Sequence, residues 1–213
     1  LVGAHMQTGS RLDPNVRHEI TDLAGTFDKI VLKSVGDAIA RVDRDATVSL
    51  LSVPPSRLHE HPEEMLRSVG GGMPGGAVDA IERVRATHVV LVTKQRGDAK
   101  FKLRDTTIGE GRLRGIGYFV DNNTPLVGVG ESRAYGNGFI APFVYVRLSL
   151  VDSSTGEVIR EQRVQATEVV PALAYDKAAT PWQALSADQK VQRLEALIRS
   201  GIGAAIEPLL TGR

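Results

Sequence analysis

The chain has 213 residues, 42% of them hydrophobic and 24% charged, with a formal net charge of +1 and no cysteine. This composition suits one globular domain and excludes disulfides, thiolate catalysis and cysteine–zinc sites. Without a basic excess we expect no nucleic-acid partner, and without an apolar run of about 20 residues we expect no transmembrane segment.

The amino terminus begins with a segment that we set apart from the fold. Its first six residues, LVGAHM, resemble a vector-derived cleavage scar, and a polar stretch follows. We expect residues 1–12 to be this scar and a disordered polar leader. Residues 13–213 are then expected to form a single α/β domain.

A helix is predicted to start at Asp13 and Pro14, because Asp caps helices and Pro is tolerated at the first helical position. Apolar residues continue at helical spacing as far as Val42. Gly25 and Gly36 interrupt this pattern, which predicts two helices or one bent helix.

The next segment has the pattern of a strand, a helix and a strand. Residues 47–53 (TVSLLSV) predict a strand that ends at a Pro-Pro pair, and residues 77–85 predict a helix. The apolar run HVVLVT at 88–93 is typical of a central strand covered on both faces. A right-handed crossover would make strands 47–53 and 88–94 parallel neighbours.

The character of the sequence then changes to that of an antiparallel meander. Residues 100–105 and 112–120 predict short strands around a glycine-containing turn. Residues 121–138 (DNNTPLVGVGESRAYGNG) are rich in glycine and asparagine and predict a long loop. Such a loop is either mobile or shaped around a ligand.

Residues 139–170 carry the clearest strand pattern. Val144, Val146, Leu148 and Leu150 alternate with Tyr145, Arg147 and Ser149, so we predict a strand with one buried face. Residues 153–156 (SSTG) supply turn chemistry, and a return strand follows. Its apolar face holds Val158, Val164 and Ala166. Arg160 and Gln162 interrupt that face, which favours a position near a sheet edge.

The carboxyl-terminal segment predicts the strongest helix. Ser186 and Gln189 match a capping box, and Pro208 is expected to kink or end the helix. Its apolar stripe comprises Val191, Leu194, Leu197, Ile198, Ile202, Ala205, Ile206, Leu209 and Leu210. The whole chain therefore predicts an α/β (α+β) fold, in which a mixed sheet has a parallel β-α-β start, an antiparallel meander and hairpin, and flanking helices.

Two groups of residues carry candidate chemistry. His59, His61, Glu63 and Glu64 form the densest set of metal ligands, although a zinc site needs three or four converging ligands and an exposed HxH is more often ordinary surface. Basic and aromatic residues alternate at Arg112, Arg114, Tyr118 and Phe119, as on some nucleic-acid-binding sheets. The balanced charge favours a plain two-faced strand here.

Enzyme motifs are missing from the sequence. The glycine-rich run at 70–76 precedes a predicted helix but lacks the Lys-Ser/Thr of a phosphate-binding loop. There is no GxSxG nucleophile motif. We expect no cofactor, with a divalent metal at the histidine cluster as the one alternative.

The hairpin sequence VYVRLSLVDSSTGEVIREQRV is similar to a strand–turn–strand of bacterial envelope domains of the curli-secretion lipoprotein and TolB amino-terminal type. There, an alternating aliphatic strand ending in Asp meets Ser/Thr-Gly-Glu before the return strand. The preceding THVVLVTKQ resembles the strand that these domains place before a meander. The resemblance covers about half of the chain. It implies a non-enzymatic partner in envelope assembly and a periplasmic or envelope-associated location, with a cytoplasmic location left open.

Three functional hypotheses follow. The first is a non-enzymatic binding or assembly module that uses the glycine-rich loops (70–76 and 121–138) and an exposed sheet edge to bind a protein partner or a second copy of the chain. The second is a metal-binding protein or metal-dependent enzyme centred on His59 and His61. The third is a small-molecule binder with a pocket under loop 121–138. The candidate ligand- or partner-binding residues are Tyr118, Tyr135, Asn137, Phe139, Arg112 and Arg114.

Overall fold

A computed structural model describes residues 4–9, 16–19, 25–51, 81–103, 106–109, 111–127, 135–171 and 180–212. It combines helices with largely antiparallel sheet, so the predicted mixed α+β class is confirmed. The strands are β1 (Ala4–Gly9), β2 (Val16–Glu19), β3 (His88–Lys94), β4 (Arg96–Asp98), β5 (Phe101–Leu103), β6 (Thr106–Ile108), β7 (Arg112–Val127), β8 (Tyr135–Asp152), β9 (Val158–Thr167) and β10 (Val170–Pro171). The helices are α1 (Thr26–Val42) and α2 (Ala187–Thr211).

Strand β8 is the centre of the sheet. It pairs antiparallel with β7 and β3 along one side and with β9 and β10 along the other. Along the first side, β7 is the neighbour as far as Tyr145, which pairs with Gly115. From Val146, which pairs with Lys94, the neighbour is β3. The long predicted hairpin is therefore confirmed, and its first strand pairs directly with β3, β7, β9 and β10.

Asp152 fixes the turn between β8 and β9. One oxygen of its carboxylate accepts hydrogen bonds from the backbone N–H of Ser154 (2.8 Å), the Ser154 hydroxyl (2.6 Å) and the backbone N–H of Thr155 (3.0 Å). Gly156 takes a left-handed φ of 71°, as the turn prediction required. These hydrogen bonds, led by the one from the Ser154 hydroxyl, lower the pKa of Asp152 to about 2.

We expect Asp152→Asn to unfold at a lower temperature than the parent protein at neutral pH, because the neutral amide is a weaker acceptor. The folded-state pKa is depressed, so the carboxylate stabilises the fold above its ordinary pKa of 3.8 and loses that effect as the pH falls towards about 2. The difference between the two melting temperatures should therefore shrink over that interval. Circular dichroism melts from neutral pH down to about pH 2 measure it, and a difference that stays constant with pH would contradict the assignment.

One face of the sheet packs against α2, which also contacts α1 in the same hydrophobic core. The core there combines alternate residues of β7 and β8 with the buried stripe of α2, among them Ile116, Val144, Leu194 and Ile198. Six of the nine residues predicted for that stripe are buried, and Val191 is 37% exposed. The periodicity of α2 therefore identified its packing face.

The opposite face of the sheet is also covered in part. Phe101, the first residue of the short β5–β6 hairpin, packs against Phe119 of β7 and Phe139 of β8, with ring centroids 4.7 and 5.4 Å apart. Tyr145 and Ser149, predicted to lie on the outer side of the hairpin, are buried as well. Strand β8 thus has two covered faces along most of its length, where the alternating pattern predicted one.

The capping box of α2 forms as predicted. The Ser186 hydroxyl accepts from the backbone N–H of Gln189 (3.2 Å), and the Gln189 side chain accepts from the backbone N–H of Ser186 (2.9 Å). Of the two outcomes predicted for Pro208, the end of the helix is not observed, because the helix continues to a left-handed Gly212. A Pro near the last turn costs a single intrahelical hydrogen bond, which the packed helix tolerates. In the part of the chain that the structure describes, neither helix combines the length and apolar character needed to cross a membrane.

The first helix begins later than its predicted start at Asp13. Residues 16–19 form strand β2, and α1 starts only after Gly25, whose φ of 59° is left-handed and breaks a right-handed helix at that point. Gly36 does not interrupt α1. Ala4–Gly9, within the expected leader, form strand β1, which pairs with β2 and β7. The division into a leader and a single domain stays a prediction.

The predicted parallel β-α-β start is not observed. Residues 46–51 belong to no strand, and β3 pairs antiparallel with β8. Val48 and Leu50 lie instead near Gly36 of α1, where they stay 36% and 51% exposed. Residues 81–84 are helical, in agreement with part of the predicted 77–85 helix. Strand β3 is half-buried, and among the described strands it has β8 as its one partner, so it is not the central strand that its apolar run predicted.

The predicted loop at 121–138 is largely a β-hairpin extension. Strand β7 continues to Val127, and β8 starts at Tyr135, with a shift in register between Asp121 and Pro125. Asp121 stabilises that irregularity, because its carboxylate accepts from the backbone N–H groups of Asn123 and Thr124, both at 2.8 Å. Ladder hydrogen bonds thus hold a segment whose Asn and Gly content predicted a loop. The glycine-rich run at 70–76 lies outside the described residues.

Candidate functional site

A polar cleft opens between β4 and β9 on the face of the sheet opposite the helices, which we call the outer face. It encloses about 360 Å³ and is lined by Gln95, Arg96, Gly97, Asp98, Lys100, Tyr145, Arg163, Gln165 and Thr167. The register of the strands explains this grouping. Gln165 lies opposite Tyr145, and Arg163 lies opposite Arg147, so the side chains of β8 and β9 alternate onto one face.

Tyr145 links the cleft to β4. Its hydroxyl donates to the backbone carbonyl of Asp98 (2.9 Å), and its ring makes an edge contact with Phe143. Burial raises the pKa of the Tyr145 hydroxyl above its usual range, so the group stays protonated at neutral pH. Tyr145 therefore serves as a fixed wall and hydrogen-bond donor.

Gly97 allows β4 to approach that wall closely. A Cβ atom at this position would lie 2.6 Å from the Gln165 amide nitrogen and 2.9 Å from the Tyr145 ring. At the far end, the Thr167 hydroxyl donates to the Lys100 carbonyl (3.3 Å) and links β9 to the segment after β4. The cleft is thus bounded by two strands that are held together at one end.

The charges around the cleft are predominantly positive. Asp98 lies 4.0 Å from the Lys100 ammonium group and 3.9 Å from the Arg112 guanidinium group, so two cations share this one carboxylate. Within the described residues, no acidic side chain forms an ion pair with Arg96 or Arg163. The lining therefore has three cationic side chains and one anionic side chain.

Two buried polar atoms on this face have no hydrogen-bond partner among the residues that the structure describes. They are Oε1 of Gln95, a residue only 6% exposed, and Nε of Arg147. The backbone N–H of Gln95 donates to the carbonyl of Tyr145, and Arg147 lies two residues further along β8. Unpartnered buried polar atoms are costly and unusual, so each calls for a partner.

Strand β9 forms an edge of the sheet. Nine of its ten residues pair with β8, and none of the other described strands pairs with β9. The register with β8 shifts between Leu150 and Val151, which leaves Ile159 as an extra residue in β9. Residues 160–167 follow as a regular stretch. Arg160 anchors this strand to α2, because its guanidinium group donates to the carbonyls of Leu209 (3.1 Å) and Leu210 (2.6 Å).

The residues proposed from the sequence for ligand binding do not converge. Tyr118 is buried under α2, where its hydroxyl donates to the Lys190 carbonyl (2.5 Å) and its ring contacts Trp182. Phe139 is buried in the aromatic cluster on the opposite face. These two side chains therefore do not line one pocket.

The remaining candidates lie elsewhere. Arg112 is exposed beside Asp98, Arg114 is partly exposed, and Asn137 is exposed on β8. Tyr135 begins β8, and its side chain lies outside the description. His59, His61, Glu63 and Glu64 all lie outside the described residues, so the metal hypothesis stays untested there. Among the described residues, no group of three or more His, Asp or Glu side chains could hold a metal ion.

Sequence reasoning did not identify the residues that form the cleft. Tyr145 was placed on the outer face of its strand, while Gln95 and Gln165 gave no motif. One feature of the sequence could have indicated them: polar positions on the two arms of the hairpin face each other across the predicted turn, with Tyr145 opposite Gln165.

Comparison with models of known protein families found no match, and comparison with curated proteins found no similar sequence.

Proposed function

We propose that the protein is a non-enzymatic binding or assembly module of the bacterial cell envelope that accepts a partner strand along β9. The observation that carries this proposal is the outer edge of β9, which no other described strand pairs with and which presents backbone donors and acceptors along its regular stretch at 160–167. The glycine-rich segment 121–138 contributes less to this proposal, since much of it is itself strand, and the run at 70–76 lies outside the described residues.

The edge is held rigidly, which favours strand addition. Val164 is buried against the helix face, and a Cβ atom at Gly201 of α2 would lie only 2.7 Å from its side chain. Helix α2 therefore supports β9 from behind at close range. A preorganised edge does not have to become ordered when a partner binds, which reduces the cost of binding.

The envelope location is part of the same proposal and rests on the resemblance of the β8–β9 hairpin to envelope domains. The turn that carries this resemblance forms around Asp152 and Gly156. A second copy of the chain is the simplest partner, because an open edge can pair with its symmetry mate.

Proline substitution at two successive positions, Glu161→Pro and Gln162→Pro, tests the edge. In an antiparallel pair, one of two neighbouring residues directs its N–H towards β8 and the next directs it outward. We expect one variant to lose stability through a missing ladder bond. The other should melt at the same temperature as the alanine variant of the same position and lose association, which sedimentation velocity of the purified protein and cross-linking in envelope extracts both measure.

Glu161→Ala and Gln162→Ala serve as matched controls for the loss of each side chain. They leave every backbone N–H in place, so both should associate like the parent protein. If the stable proline variant associates as strongly as its alanine control, the edge is not the binding surface and the proposal fails.

A further inference from the structure

The outer-face cleft has a chemistry that the edge proposal does not use. We propose that it binds a small carboxylate-bearing ligand with an adjacent N–H donor, the chemistry of an N-acylated amino acid or a peptide carboxyl terminus. This site is separate from the β9 edge, because it uses side chains of the outer face and not the backbone groups along the edge of the strand.

The charge of the cleft selects the carboxylate. Asp98 is shared between Lys100 and Arg112, whereas Arg96 and Arg163 have no acidic partner within the described residues. A guanidinium group binds a carboxylate through paired, charge-assisted hydrogen bonds. Arg163 stands on the same face as Tyr145 and Gln165, so it can reach a ligand that lies across them.

The buried amide of Gln95 selects the N–H donor. Its Oε1 atom is enclosed and has no partner among the described residues, and the residue lines the cleft. A carbonyl oxygen in that condition gains most from a ligand that donates a hydrogen bond. The required ligand therefore pairs one acceptor group for Arg163 with one donor for Gln95.

The size of the cleft fits this class. A volume of about 360 Å³ is at the small end of ligand pockets and accommodates an acylated amino acid or the last residues of a peptide. The polar lining, formed by two glutamines, a threonine and charged groups, disfavours a purely apolar ligand.

Titration with three matched probes tests the proposal. The first probe is an N-acetyl amino acid, the second is the same compound with its carboxylate converted to an amide, and the third carries a methyl group on the amide nitrogen. We expect the second and third to bind roughly tenfold more weakly than the first. A peptide ending in the same residue distinguishes the sources: tighter binding of the peptide indicates a protein carboxyl terminus, and equal binding indicates a free small molecule.

Two variants locate the site. Arg163→Gln should remove the preference for the carboxylate. Gln95→Leu should remove the preference for the N–H group without loss of thermal stability, because the buried Oε1 atom that it removes has no partner among the described residues. Lys33→Gln removes the same charge from an exposed position on α1 and should leave binding unchanged. Equal binding of all three probes, or equal effects of Arg163→Gln and Lys33→Gln, would overturn the proposal. The stable edge-blocking proline variant should still bind the free probe, so failure of one proposal can be told apart from failure of the other.

Discussion

Ile198→Ala is expected to lower the free energy of unfolding by roughly 2–5 kcal/mol. Ile198 is fully buried in the core that α2 shares with α1 and the helix-facing side of the sheet. Truncation removes apolar contacts and leaves a cavity that rigid neighbours cannot fill. Urea unfolding followed by the fluorescence of the single Trp182, which packs against Tyr118, measures the change.

Val191→Ala is the matched control in the same helix. Val191 is 37% exposed, and alanine favours helices more than valine, so the change should stay within about 0.5 kcal/mol. Equal losses in the two variants would mean that α2 does not pack through the face that contains Ile198. The pair therefore tests the orientation of the helix that supports the proposed binding edge.

The features that the sequence predicted correctly are local ones. The β8–β9 hairpin follows from alternation and from a turn in which Asp152, Ser154 and Gly156 lie within five residues of one another. The cap of α2 depends on Ser186 and Gln189, three positions apart. Each of these interactions is determined by neighbours in the chain, so a single sequence is enough to find it.

The features that the sequence did not predict depend on distant parts of the chain. The partner of β3 is β8, whose paired residues lie 52 to 64 positions further along the chain, and nothing in HVVLVT specifies an antiparallel neighbour. Residues 121–127 and 135–138 are extended because each arm completes the ladder of the other, which overrides the turn propensity of their glycines and asparagines. Local propensity is a weak guide wherever such pairing supplies the hydrogen bonds.

The cleft was harder still to predict, because three separate segments contribute to it. Gln95 lies between β3, which pairs with β8, and β4, which pairs with β7. Arg163 and Gln165 line the cleft from β9. Neither the change of partner at Gln95 nor its burial has a sequence pattern. Knowledge of the register between β8 and β9 alone would have placed Tyr145, Arg163 and Gln165 on one face.

Gly138→Ala is expected to be the second strongly destabilising substitution. Gly138 has a left-handed φ of 84°, and a Cβ atom would lie 2.1 Å from the Asp121 carbonyl oxygen and 2.9 Å from the Asn122 Cα. These are backbone atoms that the β7–β8 ladder holds in place. The left-handed conformation and the steric overlap together should cost roughly 2–5 kcal/mol, measured by urea unfolding with circular dichroism.

Gly25→Ala separates the two contributions to that cost. Gly25 is also left-handed, with a φ of 59°, but a Cβ atom there would meet nothing within 4 Å. Gly25→Ala should therefore lower the free energy of unfolding only by the conformational contribution, about 1–2 kcal/mol. A larger loss for Gly138→Ala assigns the excess to the close approach of β8 to Asp121, where the hairpin extension replaces the predicted loop. Equal losses would mean that β7 and β8 can separate at this point, and that the segment after Asp121 behaves as the loop its composition indicates.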